Sequence, residues 1–279
     1  MVPQVSFAKI IISGGLLTFA LFFFITAFLR PQYSVQDPYL RNIKAEIILA
    51  IDISQSMQAK DVLPNRLVRA KEESLALVQS FKSSEIGLLF FSGKIFTEIP
   101  LTYDHEFLTY KINALNSDFY SSLGTNFSSL IQGAIPYFSN NKTYKALVIL
   151  SDGENLANYP DKGLKLAKKK NIHIFSVAIG SNSGAPIPVS SPNKYKKDGN
   201  GKLVTTKRND SFLRLIADKT DGYFFVSEQN QLSNKRLSEI VIQKIKEVNA
   251  RSDFSEKKDF YQIFLFLAFI LLLVELALK

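Results

Sequence analysis

Ile47-Ile-Leu-Ala-Ile-Asp-Ile-Ser-Gln-Ser-Met57 is the stretch that decides how this 279-residue chain folds. An unbroken apolar run gives way to Asp52, Ser54 and Ser56, spaced two apart. A strand that is apolar on both faces is buried on both faces, as the strands of a parallel sheet are. Beyond its carboxyl end the chain enters a loop, where alternating oxygen side chains can converge on one point. One carboxylate and two hydroxyls form a hard, oxygen-only donor set, suited to Mg²⁺ or Mn²⁺ and not to zinc. Three residues do not make a metal site, so other segments must supply the remaining oxygens.

Two later segments have the right form. Gly124-Thr-Asn-Phe-Ser-Ser-Leu130 places the Thr125 hydroxyl just before an expected helix, and Lys145-Ala-Leu-Val-Ile-Leu-Ser-Asp-Gly-Glu154 is a second buried strand, ending in Ser151, Asp152 and Gly153. Asp-x-Ser-x-Ser, then Gly-Thr, then strand-Asp-Gly resembles the metal-ion-dependent adhesion site of von Willebrand factor type A domains. The resemblance implies that Ser54, Ser56 and Thr125 hold the ion by hydroxyls, and that Asp52 and Asp152 hold it directly or through water. Asp-x-Ser-x-Ser alone would read as a strand-end turn whose side chains satisfy loop amides. The three parts in this order are far more specific.

Hydrophobic residues make up 46% of the chain, ample for a core. With no cysteine, disulfides and thiolate metal sites are excluded. The net charge of +9 fits an anionic partner, but most Lys and Arg are scattered. The densest clusters, Lys168-Lys-Lys170 and Lys194 to Lys197, fall beside a helix end and in a loop, where they need no ligand. No nucleic-acid motif is present.

The chain ends are of a different kind. Residues 10–29 are uncharged, long enough for a membrane-spanning helix, and Arg30-Pro31 stops the run. A cleaved signal peptide has a shorter apolar region, ~7–15 residues, followed by a small-x-small site, which is lacking here. Residues 260–278, after Lys257-Lys258, read as a second span, with Glu275 near its end expected to reach the interface in preference to the alternative, contact with a partner helix. The organisation expected is therefore a tail (1–9), a transmembrane helix (10–29), a linker (30–44), a domain (45–250), a linker (251–259) and a second transmembrane helix (260–278). Both chain ends then lie on one side of a membrane and the domain on the other. Basic residues beside the spans (Arg30, Arg41, Lys44, Lys257, Lys258) taken alone favour a cytoplasmic domain, although long domains translocate largely regardless of charge.

Between the spans, strand and helix patterns alternate, as an α/β sheet requires. Helices are expected over 64–81, 103–115, 127–138, 162–170, 210–219 and 230–248, and strands over 85–91, 94–99, 172–179 and 222–226, besides the two already quoted. The fold class expected is α/β, a doubly wound, mostly parallel sheet flanked by helices. Ligands of such sheets bind beyond the carboxyl ends of the strands, where Asp52 and Asp152 fall. A hairpin insertion is expected at about 181–209, turning at Asp198-Gly-Asn-Gly201. Asp61, Asn65 and Arg66 are expected to shape the loop beside the motif or to cap a helix.

Gly184-Ala-Pro-Ile-Pro188, the Asp198 turn, Asp221-Gly-Tyr-Phe224, Ser56-Met-Gln-Ala-Lys-Asp-Val-Leu-Pro-Asn-Arg-Leu67 and Leu29-Arg-Pro-Gln32 together resemble the bacterial aerotolerance-operon (Bat-type) membrane subfamily of von Willebrand A proteins. That resemblance implies a binding module and not an enzyme: a membrane-tethered, Mg²⁺-dependent scaffold or adaptor in envelope assembly or stress tolerance. The partner would supply an Asp or Glu carboxylate to the ion. Related von Willebrand A proteins and a MoxR-type AAA+ ATPase are the implied associates, the bacterial inner membrane the implied location, and the periplasm the implied side. Two alternatives are a Mg²⁺-dependent hydrolase or phosphatase, and a metal-free module in which Asp52 and the serines cap the sheet edge. The first needs a general acid or base, and the only histidines are His105, early in a helix, and His173, at a strand start. Glu154 is a candidate base, or a solvated loop carboxylate.

Overall fold

A computed structural model describes residues 7–34, 45–116, 124–139, 143–155, 159–189, 194–227, 232–251 and 257–278. The chain forms two units, one from its two ends (Met1–Arg41 with Asp253–Lys279) and one between them (Asn42–Ser252).

The terminal unit begins with α1 (Phe7–Phe28) and β1 (Gln32–Ser34). The central unit opens with the quoted run as β2 (Ala45–Asp52), buried at every position. Next comes α2 (Arg66–Ser80), started not by Pro64 but by Asn65, whose side-chain oxygen accepts from Val68 N at 2.8 Å. β3 (Glu85–Phe91), β4 (Ile95–Thr102) and α3 (His105–Ala114) follow. α4 (Phe127–Ala134) is shorter than expected: Pro136 lacks the amide proton that another helical turn needs, so one 3-10 turn over Ile135–Tyr137 ends it. The chain continues through β5 (Tyr144–Ser151), α5 (Asp161–Lys169), β6 (Ile172–Ala178), β7 (Ala185–Pro186), β8 (Thr205–Thr206), α6 (Asp210–Asp218), β9 (Phe224–Val226) and α7 (Leu232–Arg251).

The main sheet has the order β4-β3-β2-β5-β6-β9, parallel except for the antiparallel edge strand β4. Alternate residues of β2 feed opposite faces. Ile47, Leu49 and Ile51 join a core built with α2, α3 and α7, whereas Ile48 and Ala50 join one built with α4, α5 and α6. The sheet is thus doubly wound. After β2 the chain moves outward through β3 and β4, then returns to lay β5 on the other side of β2. This reversal makes the cleft between the ends of β2 and β5 the topological switch point, the place where such sheets bind ligands.

The terminal unit is completed by β10 (Lys257–Asp259), antiparallel to β1, and α8 (Tyr261–Leu278). Phe23 and Phe264 stack at 6.4 Å between ring centres, joining α1 to α8. Within α1, Ile11–Phe28 has a mean hydropathy of 2.2 and is long and apolar enough to cross a membrane; the apolar stretch of α8, Tyr261–Ala277, is shorter. Glu275 departs from the expectation. Instead of reaching an interface it is buried and accepts a hydrogen bond from Ser13 Oγ of α1 at 2.8 Å. A carboxyl among apolar side chains needs a partner, and the neighbouring helix offers one.

Candidate metal centre

The site is built on the two strand ends at the switch point. Ile51 is paired with Leu150, so the next residues, Asp52 and Ser151, come side by side. Ser151 Oγ donates to Asp52 Oδ2 at 2.6 Å, and Ser54 N donates to Asp52 Oδ1 at 2.9 Å. The chain then enters a 3-10 turn over Gln55–Gln58, which brings Ser54 Oγ and Ser56 Oγ to 3.0 Å. All three side chains are buried.

Asp152 follows β5 and has no exposed surface. Its Oδ1 accepts from Glu154 N at 3.0 Å. The chain can turn here because Gly153 adopts φ +77°, and a Cβ on it would lie 2.8 Å from Asn209 O and Leu213 Cγ. Burial, and then the neighbouring Asp152 carboxylate, push the Asp52 carboxyl up to about 7. Two carboxyl groups held together away from water attract a cation.

Arg66 supplies one positive charge, a role not read from the sequence. Though at the start of α2, it is fully buried, with Nη1 2.8 Å from Asp152 Oδ2 and 2.9 Å from Thr206 Oγ1. Its Nε and Nη2 form a fork with the two Asp61 carboxylate oxygens at 2.8 and 2.7 Å. Gly180, at φ +114°, makes room: a Cβ there would stand 2.5 Å from Arg66 Nε. Burial works against the guanidinium charge, but the Asp61 and Asp152 carboxylates outweigh it and hold its proton more tightly than usual. The hairpin insertion also belongs to this network. Thr206 lies on β8, Ser181 donates its backbone N–H to Asp61 Oδ2 at 2.7 Å, and Asn209 N donates to Asp152 O at 2.7 Å.

Thr125 is buried next to the end of β3, since Asn126 N donates to Ser92 O at 2.9 Å. Among the described residues it makes no hydrogen bond with the other four expected ligands. Asn126 caps α4, accepting from Ser129 N at 3.0 Å. Glu154 Oε1 accepts from Lys207 N at 3.1 Å, and burial raises its pKa. The histidines stand at the opposite edge of the sheet: His105 Nε2 lies 3.0 Å from Ser84 O, just before β3, and His173, second in β6, stacks on Tyr144.

The donor set fits a small hard cation. At ~2.1 Å from Mg²⁺, adjacent octahedral oxygens lie about 3 Å apart, which is the Ser54–Ser56 separation of 3.0 Å. Among the described residues no group of three His, Cys, Asp or Glu side chains could hold a metal ion, so an ion bound here would depend on hydroxyls as well as carboxylates.

Comparison with known proteins agrees with this architecture. The family model described as von Willebrand factor type A domain matches residues 47–154, which span both strand-end motifs. BatB from Bacteroides thetaiotaomicron superposes with a TM-score of 0.69 at 30% identity, covering 73% of this chain and 99% of that one. The chain is a von Willebrand factor type A protein of the aerotolerance-related membrane group. An aerotolerance-related membrane protein from Bacteroides fragilis gives a TM-score of 0.67 at 27% identity, over 73% of this chain and 99% of the other. In sequence, this von Willebrand A protein is 29% identical over 256 residues to a Borreliella burgdorferi protein, covering 88% of this chain and 71% of the relative's length. It spans 63% of the length of a Mycolicibacterium vanbaalenii relative.

Proposed function

We propose that the central unit is a protein-binding module that takes Mg²⁺ or Mn²⁺ at the switch point and completes the ion's shell with a partner's Asp or Glu carboxylate. Ser54, Ser56 and Thr125 would hold the ion by their hydroxyls, with Asp52 and Asp152 acting directly or through water. The observation that carries this reading is the buried cluster of Asp52, Asp152 and the paired serine hydroxyls. Its donor set supports a partner: three of the five ligands are neutral hydroxyls and Asp152 Oδ2 is already bonded to Arg66, so a divalent ion would meet few anionic oxygens and draw a further one. Bound there, the ion would supply an electrophilic docking point. We read binding rather than catalysis because both histidines stand at the far edge of the sheet.

In this proposal α1 and α8 insert together as a helical pair in the bacterial inner membrane, with the domain on the periplasmic side. Residues 10–29 and 260–278 are the two spans, and residues 45–250 the domain. The resemblance to Bat-type proteins extends the role to that of a scaffold or adaptor in envelope assembly or stress tolerance, working with related von Willebrand A proteins and a MoxR-type AAA+ ATPase. The test is calorimetric titration of Mg²⁺ and Mn²⁺ into the full chain in detergent, beside Asp52→Ala. Saturable binding lost in the variant is expected. If the folded protein binds neither ion, with or without an acidic peptide, the metal reading fails and the metal-free module stands.

A further inference from the structure

The hairpin insertion concentrates positive charge beside the candidate metal centre. Residues 181–209 hold six basic side chains and one acidic one. A tenth of the chain thus carries a net +5 of the molecule's +9. The structure shows where that charge goes. Lys196 is paired on both sides: its N–H donates to Ile187 O and its carbonyl accepts from Val204 N, each at 2.8 Å. Its side chain turns down to the Asp-x-Ser-x-Ser loop itself, with Nζ 2.8 Å from Oε1 of Gln55, the residue between Ser54 and Ser56.

Side chains alternate between the two faces of an extended segment. Lys194 and Lys196 therefore share the face turned toward Gln55, as does Lys202, which pairs with Asp198 across the turn. Tyr195, Lys197 and Leu203 take the outer face. Lys194 and Lys202 are exposed, and among the described residues neither forms an ion pair. The one acidic group on the inner face, Asp198, is committed to the turn, accepting from Asn200 N and Lys202 N at 2.9 Å each. Glu154, on the neighbouring loop, accepts from Lys207 N.

We propose that Lys194, Lys196 and Lys202 form a cationic rim over the metal centre, and that its partner is an acidic protein segment whose further carboxylates flank the one that meets the ion. This deepens the function proposed above and rests on it. A site that recognised a single carboxylate would need no excess charge on the insertion. The rim adds charge complementarity, which raises the encounter rate and rejects neutral or basic segments bearing a lone Asp.

The test uses the full chain in detergent and two fluorescent peptides, a Gly/Ser peptide with one central Asp and the same peptide with Glu on both sides of it, read by anisotropy with Mg²⁺ or EDTA. At low salt the acidic peptide should bind about tenfold tighter, as three exposed charge contacts allow, and lose that advantage at high salt. K194Q/K196Q/K202Q should erase the advantage, so that the two peptides bind alike, whereas K197Q/K207Q should not. Equal binding of the two peptides to the unaltered chain, an equal effect of K197Q/K207Q, or equally tight binding of an oligonucleotide of the same charge would each overturn the proposal. Acidic-peptide binding that survives EDTA and Asp52→Ala, yet is lost in the triple variant, would leave the rim standing and refute the metal reading instead.

Discussion

Arg66 is the residue on which the site's arrangement depends most. Its guanidinium is divided between Asp61 on the loop and Asp152 beyond β5, both drawn to it over short, charge-assisted hydrogen bonds. Removing one member of a buried ion network strands the others. Arg66→Ala is accordingly expected to destabilise the central unit by about 3–5 kcal/mol in chemical denaturation. Arg66→Lys should recover only part of this, because an ammonium cannot reproduce the fork to Asp61. Asp61 also gives the fold a defined acid limit. Burial alone would raise its carboxyl, but the hydrogen bonds from Arg66 and Ser181 outweigh it and hold the group at about 2, below its ordinary 3.8. The unfolded chain therefore takes up this proton first as pH falls. The stability that Asp61 contributes is complete above about pH 4 and is lost on the way down to about pH 2. An Asp61→Asn variant should be less stable at neutral pH and show a flatter stability profile across that interval. An unchanged profile would refute the assignment.

At the scale of elements, the hairpin insertion and the terminal helices each differ from what their sequences suggest in isolation. The insertion reads as a surface excursion, yet its two roots carry Ser181, Thr206 and Asn209 into the network around Asp61, Arg66 and Asp152. Helices α1 and α8 read as two spans with Glu275 favoured to reach the interface, yet Ser13 and Glu275 join them. Inter-helix polar contacts of this kind contribute about 0.6–2 kcal/mol in a membrane. The chain has no native cysteine, so a cysteine pair at positions 23 and 264, whose rings now stack, would report on helix pairing without background. Glu275→Ala should lower the yield of that crosslink. Glu275→Gln, which still accepts from Ser13, should largely preserve it. Equal yields in all three proteins would mean that the pair is held by apolar contact alone.

At the scale of the whole molecule, an ion that binds only the folded state stabilises it by mass action, by about 2.7 kcal/mol at a hundredfold excess over Kd. For a domain of this size that corresponds to a rise of roughly 5–10 °C in Tm. Mg²⁺ should produce such a shift, EDTA should reverse it, and Asp52→Ala should abolish it while the protein remains folded. A shift that persists in the variant would place the ion elsewhere. Much of this molecule is determined by sequence alone, because its signals are local. The unbroken apolar run from Ile47 to Ile51 has to be buried, Asn65 starts a helix by its own side-chain oxygen, Pro136 stops one for want of an amide proton although the apolar pattern runs on past it, and Asp52, Ser54 and Ser56 are brought close by the spacing of one short loop. Tertiary structure alone decided the strand order, which puts β5 beside β2 and so brings Asp152 to Asp52 across about a hundred residues of chain. It also decided the burial of Arg66, the descent of the insertion onto Gln55 and the pairing of Ser13 with Glu275. Nothing in a linear pattern distinguishes an arginine bound for the interior from one bound for water. That choice depends on whether carboxylates from distant segments, here Asp61 and Asp152, arrive to meet it.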